Sequence, residues 1–199
     1  MSVEDRYFEG LFADNNDPWG FRQRWYEQRK RLATLAALPR PRYRAIFEPG
    51  CANGELSAAL AERCDRLLCC DTSGAAVNLA RTRLSLYEHT EVRQCRLPGD
   101  WPDEQFDLIV FSEIGYYLDR QDLTVVIRRI NDSLTADGQL LACHWRPAIE
   151  GCPLNARQVH DLIHEQLHLP RLVLHQEADF LLEVWSRDPR SVATLEGLR

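Results

Sequence analysis
The sequence has no apolar run long enough to span a bilayer, and its start lacks the charged-then-apolar pattern of a secretory leader. A globular protein of the cytoplasm, away from membranes, is therefore expected. There is no basic excess either. Asp and Glu number 30 against 24 Lys and Arg, a formal charge of -6, which argues against a nucleic-acid partner. No Cys-x-x-Cys occurs among the seven cysteines (Cys51, Cys64, Cys69, Cys70, Cys95, Cys143, Cys152). An odd count lying mostly in apolar, strand-like segments suits reduced, buried thiols better than a disulfide framework. Repeats, low-complexity tracts and linkers are also missing. With 199 residues, 45% of them apolar and 27% charged, one domain over residues 1–199 with a sizeable core is expected. Nothing in the sequence sets an oligomeric state.

What is present centres on Arg44–Gly54. A short apolar run reads as a buried strand, breaks into a loop with glycines at 50 and 54, and gives way to a helical pattern. Strand, glycine loop and helix make a nucleotide-type site, because glycine lets the backbone approach a ligand and the helix start offers free N–H groups. Asp71 ends the next apolar run, placed like an acid that binds a ribose diol. The Gly-x-Gly-x-x-Gly of dinucleotide sites is absent, since Ala52 stands at the middle position. Glu48, at the strand end, would repel a pyrophosphate but would attract a cationic ligand.

Glu48-Pro49-Gly50-Cys51-Ala52-Asn53-Gly54 followed by Asp71 resembles motifs I and II of class I S-adenosylmethionine-dependent methyltransferases. The resemblance implies an α/β, Rossmann-like fold: a mostly parallel seven-stranded sheet with an antiparallel edge strand and helices on both faces. It also implies S-adenosylmethionine as cofactor, with S-adenosylhomocysteine as product. The cofactor would be held by Glu48, Gly50, Ala52, Asn53, Gly54, Asp71 and Thr72. At the third strand's end such enzymes commonly carry an acid for the adenine amine, but here the chain reads Cys95-Arg96-Leu97-Pro98, so backbone near Leu97 and apolar contact would hold adenine instead.

The pattern along the chain agrees with alternating strands and helices. Strands are expected at 66–70, 91–97, 106–111, 139–145, 171–175 and 180–185, with helices between, notably one near 155–167. Residues 1–39 precede the first strand and are rich in aromatics. Asp17-Pro18-Trp19-Gly20 reads as a turn, followed by a basic helix from about Arg22 to Leu38. The segment is expected to act as a lid over a core formed by residues 40–199. Trp19 and Tyr26 would then cover the cofactor, with Lys30 or Arg29 near its carboxylate, although a solvated basic face suits most of these cations better.

Ser112-Glu113-Ile114-Gly115-Tyr116-Tyr117-Leu118 follows the central strand. Glu113 could bind or deprotonate an amine while Tyr116 or Tyr117 orients it, or Glu113 could cap a turn while the tyrosines pack. Together with the Asp17-Pro18-Trp19 turn and Tyr26-Glu27, this segment resembles the nodulation protein S branch of small methyltransferases, which N-methylate an amino sugar unit. The resemblance implies a small-molecule acceptor, an amine such as an amino sugar. O-methylation of a carboxyl or phenol, or a catalytically silent cofactor-binding module, are the alternatives. His144, at the end of the fifth strand, is a second candidate base, or a strand-end histidine satisfied by backbone. The Asn/Asp-Pro-Pro-aromatic motif of many base-methylating enzymes is absent. His164-Glu165-Gln166-Leu167-His168 matches a zinc-protease motif, but Pro170 ends the helix there and no third ligand is placed, so no metal is expected.

Overall fold
The computed structural model describes all 199 residues. Two helices, α1 (Asp5–Ala13) and α2 (Trp25–Ala37), precede β1 (Ile46–Pro49) and α3 (Glu55–Ala61). Then come β2 (Leu67–Asp71), α4 (Gly74–Arg83), β3 (Thr90–Gln94), β4 (Phe106–Ser112), α5 (Arg120–Ser133) and β5 (Leu134–Trp145). The chain ends with α6 (Ala156–Leu167), β6 (Arg171–Gln176), β7 (Phe180–Ser186) and the short α7 (Val192–Leu195). No helix is long and apolar enough to cross a membrane.

The strands form one seven-stranded sheet in the order β3-β2-β1-β4-β5-β7-β6. β1 to β5 run parallel, and β7 pairs antiparallel with both β5 and β6. The one reversed strand therefore lies just inside the edge, between β5 and β6. Successive strand residues point to opposite faces. Ile46, Leu67, Leu108 and Leu141 belong to one core layer, while Phe47, Leu68, Ile109 and Leu140 belong to the other. Helices cover both faces, which is why β4 is apolar almost throughout.

Local side-chain chemistry starts three of the helices. Ser73 caps α4, Asp119 caps α5, and Asn155 and Gln158 form a reciprocal capping box at α6. Three boundaries differ from expectation by three residues or more, among them the start of β5, which follows α5 directly at Leu134 rather than beginning at 139. The basic helix begins at Trp25 rather than Arg22, because the Asp17 carboxylate takes the N–H groups of Phe21 (2.8 Å) and Arg22 (3.0 Å) into the preceding turn. The third strand stops at Gln94, three residues early. Strand order reverses on either side of β1, so the loops after β1, β2, β4 and β5 converge at the C-terminal edge of the sheet.

Candidate active site
The loop after β1 has a conformation that its sequence permits. Gly50 (φ +75°) and Gly54 (φ +82°) adopt left-handed backbone, as does Ala52 at φ +48°. The Gly50 and Cys51 N–H groups donate to the Cys70 carbonyl at 2.7 and 2.9 Å, locking the loop to β2. A Cβ on Gly50 would lie 2.2 Å from Ile114 Cγ2. Gly54 serves another purpose: a Cβ there would lie 3.1 Å from Ala80 Cα, so this glycine lets α3 and α4 pack closely and does not line the site cavities.

Two carboxylates flank the loop. Asp71 accepts the Ala52 N–H at 2.9 Å and the Ser73 N–H at 3.0 Å. Its burial raises the carboxyl above its ordinary value, and those N–H groups oppose the rise. Glu48 is buried beside Ser57 and Cys69, whose thiol donates to it at 3.7 Å. Desolvation pushes its carboxyl up to about 7.

Three cavities meet at Gly50. One, of about 430 Å³, runs past Asp71, Thr72, Leu97 and Pro98. A second, of about 60 Å³, lies among Glu48, Ala52, Asn53, Lys30 and Arg31. The third, of about 320 Å³, is walled by aromatic rings including Phe8, Trp19, Tyr26, Tyr117 and Trp145. Glu113 stands where the second and third join. It adopts left-handed backbone (φ 59°), uncommon for a residue with a side chain and a feature found at functional sites.

Glu113 is a hub. One oxygen accepts from the Lys30 ammonium at 2.6 Å, the other from the Tyr116 hydroxyl at 2.6 Å and the Trp145 N–H at 2.8 Å. Lys30 also pairs with Glu27 at 3.1 Å and sits over the Tyr26 ring, 5.2 Å from its centre. Burial works against the Lys30 charge, but Glu113 and Glu27 hold the ammonium above its ordinary value. Burial likewise raises the Tyr26, Tyr116 and Tyr117 phenols.

The N-terminal segment roofs these cavities and is tied down at several points, three of them beside the loops of the site. Val3 N–H donates to the Tyr117 carbonyl at 2.8 Å. Glu9 on α1 accepts from the Gly74 N–H at 2.6 Å and the Ser73 hydroxyl at 3.0 Å, at the start of α4. Asn53 donates to Asp17 Oδ1 at 3.1 Å and to the Asn16 carbonyl at 3.3 Å.

Several residues sit elsewhere than the sequence suggests. His144 is fully buried, and both ring nitrogens are engaged, one by the Gly115 N–H and one by His160, so it has no free atom to act as a base. Arg29 lies on the outer face of its helix, paired with Glu177. His168 has left α6 in a left-handed cap (φ 52°), and no group of three or more His, Cys, Asp or Glu is arranged to hold a metal. Glu9 carries no signal in the sequence, while Ile114 and Trp145 are legible there only as neighbours of Glu113 and His144. Glu27 is marked there only through family likeness, although its i,i+3 spacing to Lys30 is a readable signal.

The family model described as Nodulation protein S (NodS) matches residues 10–169. The chain belongs to the NodS family. Nodulation protein S of Bradyrhizobium diazoefficiens is 32% identical over 128 residues, 63% of this chain and 61% of that protein. The match thus spans less than two thirds of that curated relative. A Pseudomonas syringae protein of solved structure, assigned to the methyltransferases, is 62% identical, with a TM-score of 0.75 over 82% of this chain and 99% of that one. The N-methyltransferase NodS from Bradyrhizobium japonicum WM9, solved in complex with S-adenosyl-L-homocysteine, is 26% identical, with a TM-score of 0.82 over 93% of this NodS-family chain and 98% of its own. The fold is the Rossmann-like one of these methyltransferases.

Proposed function
We propose that this NodS-family chain transfers a methyl group from S-adenosylmethionine to the nitrogen of a small amine, an amino sugar or oligosaccharide amine being the acceptor class. The observation that carries the reading is the meeting of three cavities at Gly50, with Glu113 where two of them join. The residues present fit the cofactor. Asn53 Oδ1 is buried without a partner, and Asn53 lines the same small cavity as Glu48, a pairing of acceptors that suits an ammonium. Asp71 suits two ribose hydroxyls, Thr72 flanks it, and Leu97 with Pro98 offers an apolar wall for adenine.

When bound, the cofactor supplies an electrophilic methyl carbon on a sulfonium leaving group. The chain supplies position and a dry, charged setting. Two carboxylates, Glu27 and Glu113, face one ammonium, Lys30, so this wall keeps a negative surplus that favours a cationic acceptor. Glu113 can take the proton an amine must lose, steadied by Tyr116 and the Trp145 N–H. The Tyr26 hydroxyl, buried without a partner, has capacity for one more hydrogen bond at the acceptor's edge. Aromatic rings around the third cavity suit the faces of a sugar ring, and residues 1–39 act as a lid that excludes water. Seven unpaired cysteines support work in a reducing compartment, the cytoplasm.

A hydroxyl acceptor has one observation in its favour, namely that Lys30 already neutralises Glu113. Methyl-labelled cofactor with glucosamine and glucose as a matched pair separates the readings. Transfer to the amine alone supports the proposal, transfer to the hydroxyl sugar overturns the nitrogen assignment, and binding without transfer to any acceptor overturns catalysis.

A further inference from the structure
One chain of buried titratable groups is not used by the reaction. The Gly115 N–H donates to His144 Nε2 at 3.0 Å; His144 Nδ1 meets His160 Nε2 at 3.0 Å; and His160 Nδ1 meets Glu183 Oε2 at 2.6 Å. Arg171 closes the chain on the other Glu183 oxygen. His144, His160 and Glu183 are each no more than 3% exposed. The far end opens on a separate polar cavity of about 550 Å³, so the chain runs from the site loop across the domain.

Sheet geometry brings these groups together. Glu183 on β7 is opposite Ala142, two residues from His144 on β5, so both side chains share one face. α6 lies over that face and inserts His160 between them.

Proton positions follow from the donors. An N–H can only donate, so His144 Nε2 must present its lone pair to Gly115. A neutral His144 then carries its proton on Nδ1 and donates to His160 Nε2. His160 in turn carries its proton on Nδ1 and donates to Glu183. Burial above all, with His160 and Lys30, holds His144 well below its ordinary value, in keeping with a neutral ring. Burial opposes charge on Glu183, but His160 and Arg171 outweigh it and hold the carboxyl below its ordinary value. The seat is tight. A Cβ on Gly115 would lie 2.5 Å from Val159 Cγ1, 2.8 Å from His144 Nε2 and 2.9 Å from Phe111 Cε1.

We propose that His144 and His160 are positioning residues: a one-directional hydrogen-bond chain anchored on Glu183 that fixes the Glu113–Tyr117 loop and so aims the Glu113 carboxylate at the acceptor. This role rests on the assignment of Glu113 to the acceptor side. Gly115 lies two residues from Glu113 and one from Tyr116, which hydrogen-bonds it, while Trp145, next to His144, holds the same carboxylate oxygen.

Nitrogen-15 NMR of the imidazoles at neutral pH tests the chain without any assay. Both rings should be the Nδ1–H tautomer, and an Nε2–H tautomer on His144 overturns the proposal. His144→Leu orphans the Gly115 N–H. It should shift the Glu113 and Trp145 amide resonances and lower kcat about tenfold, the scale of one buried hydrogen bond lost, with S-adenosylhomocysteine affinity nearly unchanged. His144→Gln, whose side-chain oxygen can replace Nε2, should restore most of the rate. Unmoved Glu113 and Trp145 amides, or an unchanged kcat, overturn positioning. If His144→Leu does not fold, Glu183→Gln is read by the same tautomer and amide shifts. Wild-type protein that methylates nothing counts against the reaction, and the tautomers and amides still judge the chain.

Discussion

Lys30 on α2 and Glu113 after β4 form an ion pair at 2.6 Å that ties the N-terminal helix to the loop after β4, with Glu27 as a third charge at 3.1 Å. Removing the cation leaves two partly buried carboxylates facing each other. Removing Glu113 leaves Lys30 with Glu27.

Lys30→Met should therefore cost stability on the order of 3 kcal/mol, the scale for breaking a buried pair from one side. Glu113→Gln should cost less stability but lower kcat for an amine acceptor. In a double-mutant cycle followed by denaturant unfolding, Glu113→Gln should recover part of the Lys30→Met loss. Strictly additive losses would mean that the pair is not coupled.

Gly50→Val should lower both cofactor affinity and the melting temperature. From sequence alone the expected effect is on binding, because only a ligand is known to approach the loop. The structure adds Ile114, 2.2 Å from a Cβ at residue 50, and the positive φ of the glycine. Ile114→Ala added to Gly50→Val should return part of the melting temperature and leave the backbone strain. A Gly50→Val protein that melts with wild type contradicts this packing.

Glu48 predicts a pH dependence of known sign. Its carboxyl titrates near 7 in the fold and in the ordinary range, about 4.5, when unfolded. The native protein holds the proton longer, so the stability this group contributes is full below the ordinary value and is lost as pH rises towards 7. Glu48→Gln should show a gain over wild type that grows across that window. A cationic ligand favours the ionised form, so S-adenosylhomocysteine, through its ammonium, should bind more tightly as pH rises through the same window and release a proton. Calorimetry in buffers of different ionisation enthalpy measures that release. None in wild type, or as much in Glu48→Gln, contradicts it.

The roof should respond to ligand. Asn53 joins the cofactor loop to Asp17, and Trp19 packs edge-on against Phe12 at 5.6 Å between ring centres. S-adenosylhomocysteine should slow proteolysis near Asn15–Gly20, and Trp19→Ala should weaken its binding. Unchanged cleavage with unchanged affinity would make the segment packing alone.

What could be read in the sequence was what lies close together along it. The β1 loop, Asp71 and the alternation of strands and helices follow from glycine placement and apolar periodicity. Side-chain pairings over long separations were not legible. His144 reads as a candidate base or a strand-end histidine satisfied by backbone until α6 delivers His160 from sixteen residues away. Lys30 reads as one cation among several on a basic helix, and only the fold shows it facing inward to Glu113 while Arg29 faces out to Glu177. α1 leaves no local signal of its role, which is tertiary: Glu9 caps a helix more than sixty residues later.

Calorimetric titration with S-adenosylhomocysteine, wild type beside Asp71→Ala, tests the cofactor site most directly. Asp71 is held by the Ala52 and Ser73 N–H groups with its outer face on the cavity. Charge-assisted hydrogen bonds to two ribose hydroxyls contribute roughly 1.5–3 kcal/mol each. Saturable one-site binding by wild type, weakened at least about tenfold in a folded Asp71→Ala protein, is the predicted result. No saturable binding by wild type, or equal affinity in the two proteins, would contradict it.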